Sequence, residues 1–320
     1  YYLKEKRMAI SGLGYQKNLF LLPFDHRSSF EKGLFGIEDR IPDADEVEQI
    51  SDYKRIIYEG LLKAIGNGVL KEYTAILVDQ VYGSALLADA KEKGIMTCSP
   101  VEKSGQNEFD FEFGENFNSF LELAEPTFAK VLVRYNPEEK GEVNKNQRKK
   151  LKVLSDYCHE KGFKFMFELL VPPTKEQLEL VMQDISIYDL KLRPKLARLA
   201  MAQLQYAGIE PDVWKIEGTE DPQAAENFVA QARVGYRDEV GIIILGRGEN
   251  EKRVREWLRV GARTKGIIGF AVGRTVFWQP LVDYKDGKIS REEAVRRISN
   301  TYQDLYKLFI DARSKVNFYD

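Results

Sequence analysis

Apolar runs of strand length recur along this chain, and a helix-like amphipathic stretch follows most of them. The runs cover 18–24 (NLFLLPF), 74–79 (TAILVD), 94–98 (GIMTC), 128–135 (FAKVLVRY), 163–169 (FKFMFEL), 212–217 (DVWKIE), 240–245 (VGIIIL) and 266–272 (GIIGFAV). Amphipathic segments at 53–66, 84–93, 147–161, 175–207, 221–234, 249–261 and 290–313 predict helices. Gly94, Gly162 and Gly208 each close such a segment, where a left-handed cap commonly ends a helix. About eight βα units in this order predict an α/β fold, a (β/α)8 TIM barrel. A doubly wound open sheet is the rival. That fold usually carries a glycine-rich turn after its first strand, whereas here the turn reads PFDHRSS. Two connections, 31–52 and 99–127, exceed a normal loop, and long βα loops often cover active sites. The expected division is a leading helix or linker remnant over 1–17, the barrel over 18–315 and a tail over 316–320.

Alternation along the strands sorts their faces. Phe163, Phe165, Phe167 and Leu169 share one face and should meet the helix layer; Lys164, Met166 and Glu168 share the other. Lys130, Leu132 and Arg134 lie together, as do Val213, Lys215 and Glu217. Lys130, Glu168 and Lys215 are therefore expected to project into one interior from neighbouring strands. A charge on a core strand is costly unless something pairs with it or uses it. The plain alternative is a buried Lys–Glu pair in a purely structural barrel, although such pairs add little net stability.

Composition narrows the field. The chain has 320 residues, 43% of them hydrophobic, which suffices for a large core. Net charge is −2 with both signs interspersed, so no basic field argues for nucleic acid. No apolar run reaches membrane-spanning length. Cys98 and Cys158 are far apart without metal-type spacing, which fits a reduced, cytoplasmic setting. The chain opens at Tyr1 rather than Met, and trimming of an upstream segment is expected.

A lysine is nucleophilic only as the neutral amine, and burial beside a second ammonium lowers its pKa. Lys130 near Lys215 would supply both conditions. The amine would attack a ketone and form an iminium, an electron sink that permits carbon–carbon cleavage. Glu168 suits the acid/base work on the carbinolamine and on the aldol hydroxyl. This chemistry needs no cofactor. The metal-dependent route to an aldol reaction commonly takes three histidines, and the chain holds only His26 and His159. His159 reads as an exposed helix-end residue. Carboxylates could still hold Mg²⁺, so the metal route is weakened and not excluded.

Glycine stands beside arginine after the last two strands, in Gly246-Arg247-Gly248 and in Gly273-Arg274-Thr275. Barrel enzymes often bind phosphate there through backbone amides and a helix N-terminus. Asp25, at the end of the first strand, is expected to hydrogen-bond substrate or Lys215, with a helix cap as the alternative. Asp79 ends the second strand in the same way, but Gly83 makes ordinary turn chemistry the stronger reading there.

The stretches LLPFDHRSSFE, AILVDQVYG, FKFMFELLVPPT, PDVWKIEG, ILGRG and FAVGRTVFW together resemble the class I aldolase barrels of the tagatose-bisphosphate aldolase type. Within that group they are most similar to the 2-deoxy-5-keto-D-gluconate-6-phosphate aldolase barrels of myo-inositol catabolism. The resemblance spans roughly 18–315. It implies a Schiff-base lysine at Lys215, with Lys130, Glu168 and Asp25 in support and phosphate on Gly246, Gly273 and Arg274. The tagatose-type relatives tend to carry Gln after the aspartate where this chain has His26, so a different sugar phosphate is expected. The implied reaction is an aldehyde-lyase cleavage of a phosphorylated keto sugar acid to dihydroxyacetone phosphate and malonate semialdehyde. By position alone, Arg27 or Arg134 would meet the far carboxylate. Cleavage of a sugar bisphosphate or sulfosugar phosphate, and a non-catalytic sugar-phosphate sensor, stand as alternatives. A sugar kinase, fused or co-encoded, and a homo-oligomer are the implied protein partners. Trp257, Trp278 and Phe277 fit either an interface or the helix layer.

Overall fold

The computed structural model of the protein describes residues 12–139 and 141–316. Eight parallel strands close into a barrel in chain order: β1 (Leu19–Pro23), β2 (Thr74–Leu77), β3 (Met96–Pro100), β4 (Phe128–Arg134), β5 (Lys164–Leu170), β6 (Val213–Glu217), β7 (Gly241–Leu245) and β8 (Ile267–Ala271). β8 pairs with β1, so the sheet has no edge and the doubly wound alternative falls away. Each strand falls on an apolar run of the sequence; β3 overruns its run by two residues and β5 by one. The expected alternation also holds. Leu19, Leu21, Phe128, Met166, Val213 and Ile243 form an inner cluster, whereas Phe165, Phe167, Trp214 and Ile216 belong to the larger core between barrel and helices.

The helices depart from expectation at their boundaries. The first long helix runs Ala44–Gly66, nine residues earlier than the periodicity suggests. Asp43 and Glu46 form a reciprocal capping box there, so much of the expected loop 31–52 is helical. Within 99–127, Glu102 bridges Phe111 and a helix forms over Phe117–Ala124. The single helix expected over 175–207 is broken. Lys175–Leu180 ends before Met182 and Gln183, both at positive φ, and the main helix Arg193–Tyr206 restarts with Pro194 in its first turn. One further helix, Arg274–Lys285, was hidden by its internal Pro280. The last helix, Arg291–Ser314, packs against Ala44–Gly66, and its Tyr302 hydroxyl donates to Phe20 O at 2.8 Å.

Residues 12–17 contain no helix; most of the segment expected as a leading helix or linker, and the tail 317–320, lie outside the described residues. Trp257 and Phe277 are buried in the core, and Trp278 packs edge-on against Phe30. Among the described residues no helix is long and apolar enough to cross a membrane.

Candidate active site

A cavity of about 340 Å³ opens at the C-terminal ends of the strands. Its floor is a cluster of charges delivered by strand register. Glu168 on β5 lies directly opposite Lys215 on β6, and Lys130 on β4 is paired with Met166, two residues before Glu168. All three side chains point inward, as alternation requires. Lys215 Nζ lies 2.8 Å from Glu168 Oε2. Lys130 Nζ lies 2.9 Å from the same oxygen, 2.9 Å from Asp25 Oδ2 and 2.5 Å from Glu102 Oε1. Both lysines are buried.

The two ammonium groups therefore have different surroundings. Burial works against the charged form of Lys130, but Asp25, Glu102 and Glu168 outweigh it and hold its pKa well above the usual lysine value. Asp25 and Glu168 respond in the opposite sense. Burial opposes their ionisation, yet the lysines keep both below the ordinary carboxylate range. Glu102 is the exception: burial dominates and pushes its carboxyl up. Asp25 pairs with Lys130 and not with Lys215, and it caps no helix.

The glycine–arginine loops form one wall of the cavity, with Gly246, Gly248, Gly273 and Thr275 among its lining. Gly273 immediately precedes the helix Arg274–Lys285; the amides of Val276 and Phe277 donate to Gly273 O, and Gly273, Arg274 and Thr275 line the cavity. A Cβ at Gly273 would meet Pro23 O at 2.1 Å, so only glycine permits this approach of β8 to β1. Arg247 was expected to bind phosphate by charge. Its guanidinium is instead committed to Asp189, Glu217 (2.9 Å) and Glu249 (2.7 Å). Arg274 has no carboxylate partner among the described residues; its Nη2 donates to Arg247 O at 3.0 Å.

A bacterial family described as an uncharacterized conserved protein, DUF2090, matches residues 12–313. The chain belongs to this DUF2090 family. Two solved structures share the family member's fold. One is a fructose-bisphosphate aldolase from Slackia heliotrinireducens DSM 20476, 12% identical, with 89% of this chain and 86% of that chain covered and a TM-score of 0.54. The other is Cgl0159 from Corynebacterium glutamicum (Brevibacterium flavum), 14% identical, with coverages of 91% and 85% and a TM-score of 0.55. At such identities the likeness establishes the barrel alone. No curated protein sequence matches the chain.

The opposite wall of this DUF2090 barrel comes from the end of β1 and the β3–β4 connection. Arg27 donates to Glu102 O at 2.8 Å and pairs with Glu112 at 2.8 Å, so its charge is already balanced. Arg134 faces the same wall and donates to Gln106 O at 2.8 Å. His26 lines the cavity, with its Nδ1 buried and without a hydrogen-bond partner among the described residues. Burial draws its pKa down to about 4, so the ring is neutral near pH 7. His159 is partly buried, with Nε2 2.7 Å from Glu210 O. Among the described residues no three His, Cys, Asp or Glu side chains are placed to hold a metal ion. Asp25, Glu102 and Glu168 all contact the Lys130 ammonium.

Several buried charges escaped the sequence reading, and two of them, Glu102 and Lys54, lie against the site. Glu102 continues the inward alternation of Met96, Cys98 and Pro100, a signal that was present but cut short where the apolar run ends. Lys54, fully buried, pairs with Asp79 and donates to His26 O at 3.0 Å. Asp79 also caps the helix Gln80–Glu92, so one carboxylate ties that helix to the back of the β1 loop. A lysine on an amphipathic helix gives no such warning.

Proposed function

We propose that the protein is a Schiff-base aldolase acting on a phosphorylated keto sugar acid. The observation that carries this reading is the inequality of the two lysines. Both lysines border the cavity, but Lys130 touches three carboxylates that hold it as an ammonium, whereas among the described residues Lys215 touches Glu168 alone. Lys130 is then the permanent charge of the site and Lys215 the amine that reacts.

Lys215 Nζ would add to the ketone carbon. Glu168, 2.8 Å from that nitrogen, would move protons between it and the carbinolamine oxygen, which leaves as water. As the aldol hydroxyl loses its proton and becomes the carbonyl of the departing aldehyde, the iminium accepts the electron pair of the breaking carbon–carbon bond; protonation of the resulting enamine at carbon and hydrolysis of the iminium restore the lysine. The phosphate would rest on the Gly246–Gly248 loop and the first turn of Arg274–Lys285, with Arg274 supplying charge. Arg134, on the other wall, would face the far carboxylate. Together with the resemblance of the strand motifs, this favours 2-deoxy-5-keto-D-gluconate 6-phosphate as substrate, cleaved to dihydroxyacetone phosphate and malonate semialdehyde.

Borohydride reduction in the presence of dihydroxyacetone phosphate tests the reading. A mass increment on the peptide carrying Lys215 is expected, and none in Lys215→Ala, which should also lose cleavage of the keto acid by about a thousandfold or more. An increment on another lysine, or cleavage that survives in Lys215→Ala, would overturn it.

A further inference from the structure

Glu102 has no part in the chemistry described so far, although it is buried in the same cluster. Its Oε1 accepts from Lys130 Nζ at 2.5 Å. Its Oε2 is shut off from solvent and has no hydrogen-bond partner among the described residues. The side chain also lines the cavity. A buried carboxylate oxygen without a donor is costly, and a ligand hydroxyl facing it removes that cost.

The hydrogen bonds and ion pairs place Glu102 in a series with Lys130, Glu168 and Lys215. Glu168 adjoins the reacting nitrogen, while Glu102 lies beyond Lys130, on the side of the β3–β4 connection. In an imine on Lys215, the hydroxyl of the β carbon stands three bonds beyond the imine carbon. Glu102 and Glu168 both line the cavity that must hold it, and the oxygen of Glu102 without a partner among the described residues is the acceptor such a hydroxyl would satisfy. The groups around Glu102 are Lys130 from β4 and Asp25 and Arg27 from the end of β1. The lysines hold Asp25 and Glu168 below the ordinary carboxylate range, whereas burial pushes the Glu102 carboxyl up.

We propose, on the basis of the Schiff-base reading, that Glu102 is the catalytic group that takes the β-hydroxyl proton during cleavage and returns it to the α carbon. The O–H electrons become the carbonyl of the departing aldehyde. The pair from the α–β carbon bond forms the enamine and neutralises the iminium. Glu102 then gives the same proton to the enamine carbon, and water releases the ketone from Lys215. Every proton is accounted for without a co-reactant.

Dihydroxyacetone phosphate alone tests the assignment, because its imine must lose and regain an α hydrogen. Exchange of that hydrogen in deuterium oxide, followed by NMR, reads the Glu102 step; borohydride trapping reads imine formation. Glu102→Gln keeps the shape and leaves Lys130 with Asp25 and Glu168. It should be trapped at Lys215 as the parent is and exchange about a hundredfold more slowly or worse. Glu102→Asp, which retains a carboxylate, should regain part of the exchange. Exchange within about threefold of the parent in Glu102→Gln would overturn the proposal. Parallel loss of trapping and exchange would also overturn it, since Glu102 would then merely support Lys130. Failure to trap the parent protein removes the Schiff-base reading itself, and this assignment with it.

Discussion

β5 carries a lysine at one end of its inward face and a glutamate at the other, and the two ends of the barrel treat buried charge differently. At the closed end, Lys164 Nζ donates to Gly14 O and Asp212 Oδ1, both at 2.9 Å, and to Gly12 O at 2.5 Å. Asp212 also accepts from the amides of Gly14 (2.7 Å) and Phe165 (2.8 Å). Above this pair, Phe128, Met166 and Val213 fill the interior. At the open end, three carboxylates surround Lys130, yet Glu102 Oε2 and His26 Nδ1 have no partner among the described residues, and both residues line a cavity. A fully satisfied network with no space beside it holds a fold together. An unsatisfied one facing space is arranged for a ligand. A buried Lys–carboxylate contact therefore does not signal function by itself; the unpaired atoms and the room next to it do.

The same substitution at the two ends tests this contrast most severely. Lys130→Met leaves Asp25, Glu102 and Glu168 close together, with Lys215 as the nearest cation, and should cost about 3–5 kcal/mol of stability. Lys164→Met removes a nitrogen whose side chain is 32% exposed and leaves Asp212 with two amide donors, so roughly 1 kcal/mol is expected. Urea unfolding at pH 7 measures both. The loss in Lys130→Met should shrink on acidification. In the parent, Asp25 and Glu168 have depressed pKa values, so their pairing with Lys130 stabilises above the ordinary carboxylate range and is lost as pH falls through it. Equal losses in the two variants would erase the distinction between the ends.

His26 provides a second probe of the open end, with a smaller effect. Its folded pKa of about 4 lies below the ordinary value, chiefly because of burial, with Arg274, Lys54 and Lys215 adding to the effect and Asp25 opposing it. Between about pH 6.5 and 4 the unfolded chain binds this proton and the folded one does not. Stability from this residue is therefore full above that window, falls as pH drops through it and levels off below. The loss across the window should be roughly 2–3 kcal/mol. Urea midpoints at pH 7 and pH 4.5 should converge in His26→Gln, which cannot titrate. An unchanged pH dependence in that variant would assign the slope to other groups.

Legibility from sequence followed how local each signal was. All eight strands were readable because apolar runs and a period of two are properties of short stretches. For the same reason the inward pointing of Lys130, Glu168 and Lys215 followed from alternation alone. What alternation does not specify is what lies across the barrel. That Asp25 reaches Lys130 and not Lys215, and that Arg247 is absorbed by Asp189, Glu217 and Glu249, are facts of packing between elements distant in the chain. Glu102 lies between these cases. Its parity continues that of β3, but the strand ends at Pro100 and the residue belongs to a connection. Helix starts were misplaced where caps outweighed periodicity, as at Asp43, and a helix was missed where Pro280 interrupts it.

The smallest expected effect concerns the glycine–arginine wall, and it separates backbone conformation from contact. Gly248 has φ +78°, and a Cβ there would lie 2.3 Å from Arg274 Nη2 and 2.7 Å from its Cζ. Gly162 has φ +79° and would meet nothing within 4 Å. Alanine at either position takes on the same left-handed strain, about 1 kcal/mol or slightly more, so the two variants should lose similar stability. Only Gly248→Ala must also displace the Arg274 guanidinium, which can swing away because it is the end of a flexible side chain. If that guanidinium meets the phosphate, calorimetric titration with inorganic phosphate should show roughly tenfold weaker binding in Gly248→Ala and parental binding in Gly162→Ala. Equal phosphate affinity in both variants would leave the first helix turn as the anion site and take the Arg274 guanidinium out of it.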